Sequence, residues 1–468
     1  MTVRRGRRAW PFLAALISAL ALLAAACTSP AAPAPAGRTT AAASTGPAKA
    51  VSPPDTPAGI QLRWLTAALA HLPLSDAQVR AHFDAPFVAQ DPPAVLNQTL
   101  QAVVSIKLLS IEVSELSTLV ALVSAGGAGS RAQVWLTVDR RGLISGLRIS
   151  AATGPVPSTW ADVDAVLGLA APRVRLLVAD VSNGSCQPVH SIDPATAAPL
   201  GAAFKLYVLD ALGNAVASGK VGWNQRLTVT ARLKSMPAGE LQNEPDGTQV
   251  SVLETAAKMI SLSDNTAADM LINLMGRSAV EAALAATGMA SPALDRPFLT
   301  TREIFVLKLD LWPTLAERYV TADEPSRRAL LASTVDRATL PAVAAAGAWT
   351  TPRAIDSLEY FASARDICHL YASLAALARR PGLSPISQVL SLNDDGLQLD
   401  PAQWKTTWFK GGSEPGVLTM AYLATTRTGH SYVVTALAEN PSQQIDETLA
   451  IPAMLSAIKG AFTLAARR

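Results

Sequence analysis

Cysteine is scarce in this chain, with only Cys27, Cys186 and Cys368 among 468 residues. So few thiols exclude a disulfide-dense scaffold and a thiolate-rich metal framework. Charge is thin as well: 16% of residues are charged, and the formal net charge of +3 owes much to Arg4, Arg5, Arg7 and Arg8. Without those four arginines the balance is close to zero, which gives no basis for binding nucleic acid or an anionic surface. Long apolar runs are also missing. The run Trp10 to Leu23 is short of the ~20 residues that cross a bilayer as a helix. No motif calls for a cofactor or a metal, and none is expected. Half of the residues are hydrophobic, however, and a chain of this length has room for two or three globular domains.

A basic start, the apolar run and the small residues Ala24-Ala25-Ala26 before Cys27 mark residues 1–26 as a signal segment. The end of the segment resembles the lipobox of bacterial lipoproteins, although leucine is usual where Ala24 stands. The resemblance implies that Cys27 is lipidated and anchors the protein to the extracytoplasmic face of the cell membrane. The alternative is a secreted protein with an unmodified Cys27. Residues 27–57 are Ala, Pro, Ser and Thr with almost no large apolar side chain, a composition that suits a flexible tether. Cys186 and Cys368 either pair or stay as two buried thiols; 182 residues lie between them, and spacing does not decide.

Residues 58–152 read as a compact α+β unit. Ile60, Leu62, Leu65, Leu69 and Leu72 recur at helical spacing, and Ser75 caps a second helix that begins at Asp76. Two strand patterns, Gln133 to Val138 and Leu143 to Ile149, flank a turn containing Gly142. Helices first and a hairpin last resembles the cone-shaped folds of the steroid-isomerase and nuclear-transport-factor (NTF2) group. Such a unit serves either as a spacer or docking domain or as a site for a small apolar ligand.

A connecting helix is expected within 153–172, followed from 173 to 468 by an antiparallel sheet flanked by helices, again α+β. Three short motifs occupy this region in order: Ala202-Ala203-Phe204-Lys205, Ser263-Asp264-Asn265, and Lys410-Gly411-Gly412-Ser413. A second Ser-x-x-Lys spelling, Ser456 to Lys459, lies in the last predicted helix with nothing after it to complete a site.

Together the three motifs resemble those of class A β-lactamases and penicillin-binding proteins, where Ser-x-x-Lys, Ser-Asp-Asn and Lys-Thr-Gly supply the chemistry. The arrangement of signal, isomerase-like domain and β-lactamase-like domain is similar to actinobacterial lipoproteins of this kind. It also resembles the β-lactamase-like protein of clavulanic acid clusters. The resemblance implies that Lys205 is a proton acceptor and Ser263 a proton relay. Asn265 would hold the substrate and Lys205, and Lys410 would attract a substrate carboxylate. The segment Gly411-Gly412-Ser413 would line the substrate, with the N–H groups of residues 202 and 413 as an oxyanion hole. It further implies a monomer whose partner is a β-lactam or another acyl or peptide compound.

Two features depart from that family. Ala202 stands where the nucleophilic serine belongs, and losing such an oxygen costs on the order of 10⁶-fold in rate in a comparable hydrolase. In addition, no Glu-x-x-x-Asn follows Leu294-Asp295-Arg296, so the carboxylate that activates water has only Glu303 and Glu359 as stand-ins. The expected function is therefore recognition of an acyl compound with acyl-enzyme chemistry lost or severely impaired; non-catalytic binding in the cell envelope is the alternative.

Overall fold

The computed structural model describes residues 51–101, 106–114, 117–125, 130–151, 156–236 and 238–467. Cys27, the signal segment and most of the tether lie outside the described residues. The chain divides between residues 153 and 154 into two compact units.

In the first unit, the helices Pro57–Ala68, Asp76–His82, Ala85–Gln90 and Pro93–Gln101 precede four strands, Ile106–Ser114, Thr118–Ala125, Ser130–Val138 and Ile144–Ala151. The strands form an antiparallel meander in sequence order. Ser75 starts the second helix with a reciprocal cap, its Oγ accepting from Gln78 N while Gln78 Oε1 accepts from Ser75 N. At the last hairpin, Asp139 Oδ1 accepts from the N–H groups of Arg141 (2.8 Å) and Leu143 (2.9 Å), and Gly142 takes φ +79°. Leu62, Leu65, Phe83, Val134 and Leu136 fill the space between helices and sheet.

The second unit is built on a five-stranded antiparallel sheet. Its spatial order is Trp404–Glu414, Val417–Thr426, Ser431–Glu439, Arg173–Asp180 and Gln187–Ile192. Alternation along the strands sends Leu176, Val178, Phe409 and Tyr422 to one face, where the helix Glu447–Ala465 packs. Leu177, Ala179, Trp408 and Ala421 point to the other face, against the helices Lys205–Ala217 and Ala364–Ala378. Strands covered on both faces are buried at almost every position, as in Val417–Thr426. The helix expected as a connector is Trp160–Leu167, and it is part of this unit: Val163 and Leu167 are fully buried in the layer beneath Phe462.

Between Asn265 and Arg380 the chain is largely helical. The helix Thr301–Phe305 runs into a π-helical turn, Val306–Asp310, and a new helix, Thr314–Thr321, starts after Trp312-Pro313. Cys186 and Cys368 form a disulfide with Cα atoms 6.2 Å apart. It ties the turn before strand Gln187–Ile192 to the helix Ala364–Ala378, deciding a pairing that the sequence left open.

Candidate functional site

The site begins at a two-residue strand, Ala198–Pro199, paired with Phe361–Ala362. Gly201, at φ +50°, turns the chain into a 3₁₀ segment, Gly201–Phe204, and the α-helix Lys205–Ala217 follows. In the 3₁₀ geometry residues three apart eclipse one another, so the 202 position lies directly over Lys205.

Strand Trp404–Glu414 passes very close to this turn, which explains Gly412, while the Phe409 ring leaves no room for a side chain at Gly411. A Cβ on Gly412 would stand 2.3 Å from Ala202 N and 2.4 Å from Leu200 O, and one on Gly411 would stand 2.7 Å from the Phe409 ring. Strand alternation puts Lys410 and Gly412 on the side of the turn and Gly411 and Ser413 on the other. The Ser413 hydroxyl accordingly bonds Glu447 at the start of the last helix. What Ser413 can offer at the site is its backbone N–H, which a Cβ on Gly201 would approach to 3.0 Å.

The second motif comes from a cap. Asp264 Oδ1 accepts from Ala267 N (2.8 Å) and starts the helix Asn265–Met275, while Oδ2 accepts from Glu240 N and Leu241 N at 2.7 and 2.9 Å. That anchorage holds Ser263 at φ +55°, a left-handed conformation uncommon for a non-glycine residue. It also fixes Asn265, whose Nδ2 donates to Met236 O at 3.1 Å.

Around this cap the polar groups converge. Lys205 Nζ donates to Ser263 O (2.7 Å) and Asn265 Oδ1 (2.6 Å) and lies 3.2 Å from Ser263 Oγ. Lys410 Nζ reaches the same Oγ at 3.1 Å and also contacts Gly411 O. Lys205 is 0% exposed and Lys410 3%. Burial pulls Lys205 well below the usual lysine pKa, and the neighbouring Lys410 charge adds to the effect. Burial likewise lowers Lys410 to about 8. The structure thus brings Lys205, Ser263, Asn265 and Lys410 into one hydrogen-bonded cluster, with Ala202 in the turn just before Lys205 and Gly412 packed against that turn.

The two candidate carboxylates lie elsewhere. Glu303 is bound by Arg277 at 2.6 and 3.1 Å and caps its own helix through Thr300 N. Glu359 adjoins the turn without facing the cleft amines: its Oε2 accepts from Gly201 N (3.1 Å) and Tyr360 N (3.0 Å). After Leu294-Asp295-Arg296-Pro297 the chain places Phe298 against Phe204 and Tyr360, with Phe204 and Tyr360 stacked at 3.7 Å. Residues that sequence reasoning missed are Lys308 and Glu414. Lys308 Nζ is 2.6 Å from Glu414 and 3.4 Å from Glu359, completing a buried cluster behind Gly201. Glu414 follows Ser413 directly, but nothing in the sequence marks its partner 106 residues away. Asp269 was also missed as a support. It accepts from Thr301 N and Arg302 N at 2.7 and 2.9 Å, and burial raises its pKa to about 7.

Comparison with known proteins follows the division of the chain. Residues 53–144 match the family described as ORF 12 gene product N-terminal. Residues 159–457 match the β-lactamase enzyme family. No curated protein matches. Among solved structures, a β-lactamase from Sphaerobacter thermophilus is 18% identical, with 66% of this chain and 97% of that one covered and a TM-score of 0.46. The structure of PBP-A is 18% identical over 67% of this chain and 100% of its own, TM-score 0.43. The class A β-lactamase of the last common ancestor of Gram-negative bacteria is 17% identical over 66% and 99%, TM-score 0.46. The family match spans well over half of the sequence and contains all three motifs; this chain belongs to the β-lactamase enzyme family.

Proposed function

We propose that the protein binds a β-lactam or a related acyl or peptidoglycan compound at the cleft between Lys205, Ser263 and Lys410, and forms no acyl-enzyme at position 202. The observation that carries this reading is the convergence of two buried amines on one hydroxyl, Ser263 Oγ, with one of them, Lys205, directly after the turn that carries Ala202. Lys410 draws in a substrate carboxylate, Asn265 orients the substrate amide, and the N–H groups of residues 202 and 413 receive its carbonyl oxygen. Ala202 offers no oxygen for attack, so recognition outlasts turnover.

The protein is exported, anchored through a lipid on Cys27 and held off the membrane by the segment 27–57. The Cys186–Cys368 disulfide supports an oxidising compartment outside the cytoplasm. The first unit acts as an NTF2-like spacer or docking domain, a role supported by its order of helices followed by a meander sheet. The protein works as a monomer, with its ligand as partner.

Calorimetric titration with benzylpenicillin tests the reading. Binding is expected, with no mass adduct at residue 202, and Lys410→Met should weaken it about 10-fold or more through loss of a charged hydrogen bond. Absence of binding to the folded protein overturns the proposal.

A further inference from the structure

We propose that Ser263 is itself a nucleophile, activated by Lys205 and assisted by Lys410, that takes the acyl group of an activated ester in slow turnover. The inference goes beyond recognition of an acyl compound and starts from the two lysine amines within hydrogen-bond distance of the Ser263 hydroxyl.

That geometry is a matter of counting hydrogens. Asn265 Nδ2 donates to Met236 O, so the amide is oriented with Oδ1 toward Lys205. Ser263 O and Asn265 Oδ1 are both acceptors that cannot donate, and they lie 2.7 and 2.6 Å from Lys205 Nζ. A neutral amine has two hydrogens and one lone pair. These two carbonyls use both hydrogens, leaving the lone pair for the third neighbour, Ser263 Oγ at 3.2 Å. In that neutral state the hydroxyl donates to Lys205, whereas an ammonium at Lys205 donates to all three oxygens. Lys410 Nζ, 3.1 Å away on the other side, donates to the same oxygen and stabilises negative charge as it develops there. Burial and the Lys410 charge both favour the neutral form of Lys205 that this arrangement needs. Ser263 is half-buried while Lys205 and Lys410 are buried, so it is the residue of the three with surface open to solvent.

The chemistry balances without a co-reactant other than water. Ser263 Oγ attacks the carbonyl carbon of the ester, and its proton passes to Lys205 Nζ. The C–O bond to the leaving group breaks, and the alcohol departs with the proton from Lys205. Water then adds to the acyl-serine, giving its proton to Lys205. Release of the acid breaks the Ser263–acyl bond, and Ser263 Oγ recovers the proton.

The test uses the full chain and p-nitrophenyl acetate. The expected result is hydrolysis above background that falls as pH drops and Lys205 takes up a proton. Acid quench and peptide mapping should place one acetyl group on Ser263. Ser263→Ala and Lys205→Met, each checked for an unchanged circular dichroism spectrum, should lower the rate about 10²-fold or more. A parent that is never acetylated, an acetyl group on another side chain, or undiminished hydrolysis by Ser263→Ala would overturn the inference. Benzylpenicillin titration of the same samples separates the two proposals. Binding without Ser263 labelling counts against the nucleophile alone, and labelling without binding counts against the functional reading alone.

Discussion

Two lysines are fully buried about the turn Gly201–Phe204, Lys205 directly after it and Lys308 joined to it through Glu359, and their surroundings are opposite. Lys308 sits between Glu414 and Glu359, and Glu359 in turn accepts the Gly201 N–H. Lys205 sits among a backbone carbonyl, an amide oxygen, a hydroxyl and another lysine; among the described residues no carboxylate forms an ion pair with it, and Asp264 and Asp269 only partly offset the burial that lowers its pKa. A buried ammonium answered by carboxylates is a structural tie, costly to break and chemically quiet. A buried amine given only neutral acceptors loses its proton readily and becomes a base. In the Lys308 cluster the strain of burial falls on an acid: desolvation pushes the Glu414 carboxyl well upward, and Glu359 reinforces the shift. Burial alone therefore does not mark a catalytic lysine in this fold; the sign of its neighbours does.

The largest expected effect tests the Lys205 side. Ala202→Ser places a hydroxyl directly over the amine, and acylation by a chromogenic cephalosporin should rise by several orders of magnitude, a change comparable to the ~10⁶-fold seen when such a nucleophile is removed. Intact-mass analysis should locate the adduct at residue 202, and Lys205→Met in that background should abolish it. A serine variant that folds and stays unacylated would break the assignment of Lys205 as the base. On the other side, Lys308→Met leaves two buried carboxyl groups without their cation and should cost about 3–5 kcal/mol of unfolding free energy. Lys205→Met strands only neutral acceptors, and the corresponding loss is about 1–3 kcal/mol. Chemical denaturation of both variants checks the ranking. Equal losses would erase the contrast between the two lysines.

Much of this was legible in the sequence because it rests on local signals. Ser75 with Gln78, the turn at Gly142, the strands after Trp404 and the helix Glu447–Ala465 are each written in capping, turn or periodicity rules that act over a few residues. The three motifs were visible for the same reason. Other features depend on contacts that no local rule encodes. The 3₁₀ turn at 201–204 follows from the close passage of Gly412, and Trp160–Leu167 joins the second unit because Val163 and Leu167 meet the last helix. Glu359 was offered as a stand-in for the water-activating carboxylate, whereas it holds Gly201 N and pairs with Lys308. Its burial beside the site could not be read without Lys308, whose position depends on the π-helical turn Val306–Asp310. The disulfide was likewise a matter of tertiary approach across 182 residues.

The smallest effect sharpens the comparison through pH. Lys410 in the folded protein loses its proton at about 8, whereas an unfolded lysine does so near 10.4. Between those values the unfolded chain binds more protons than the native one, so stability rises with pH; below about 8 both states are protonated and the slope vanishes. Lys205, displaced in the same direction, adds to the rise. Buried tyrosines bound the window from above, because Tyr207, Tyr360 and Tyr371 are raised in the folded state and their linkage destabilises the protein once free tyrosine ionises near 10. Denaturation between pH 8 and 10 should show the parent gaining up to ~2–3 kcal/mol relative to Lys410→Met. An identical pH slope in the two proteins would mean that Lys410 keeps its proton in the native state, and the cleft would then hold an ordinary ammonium in place of an amine poised near neutrality.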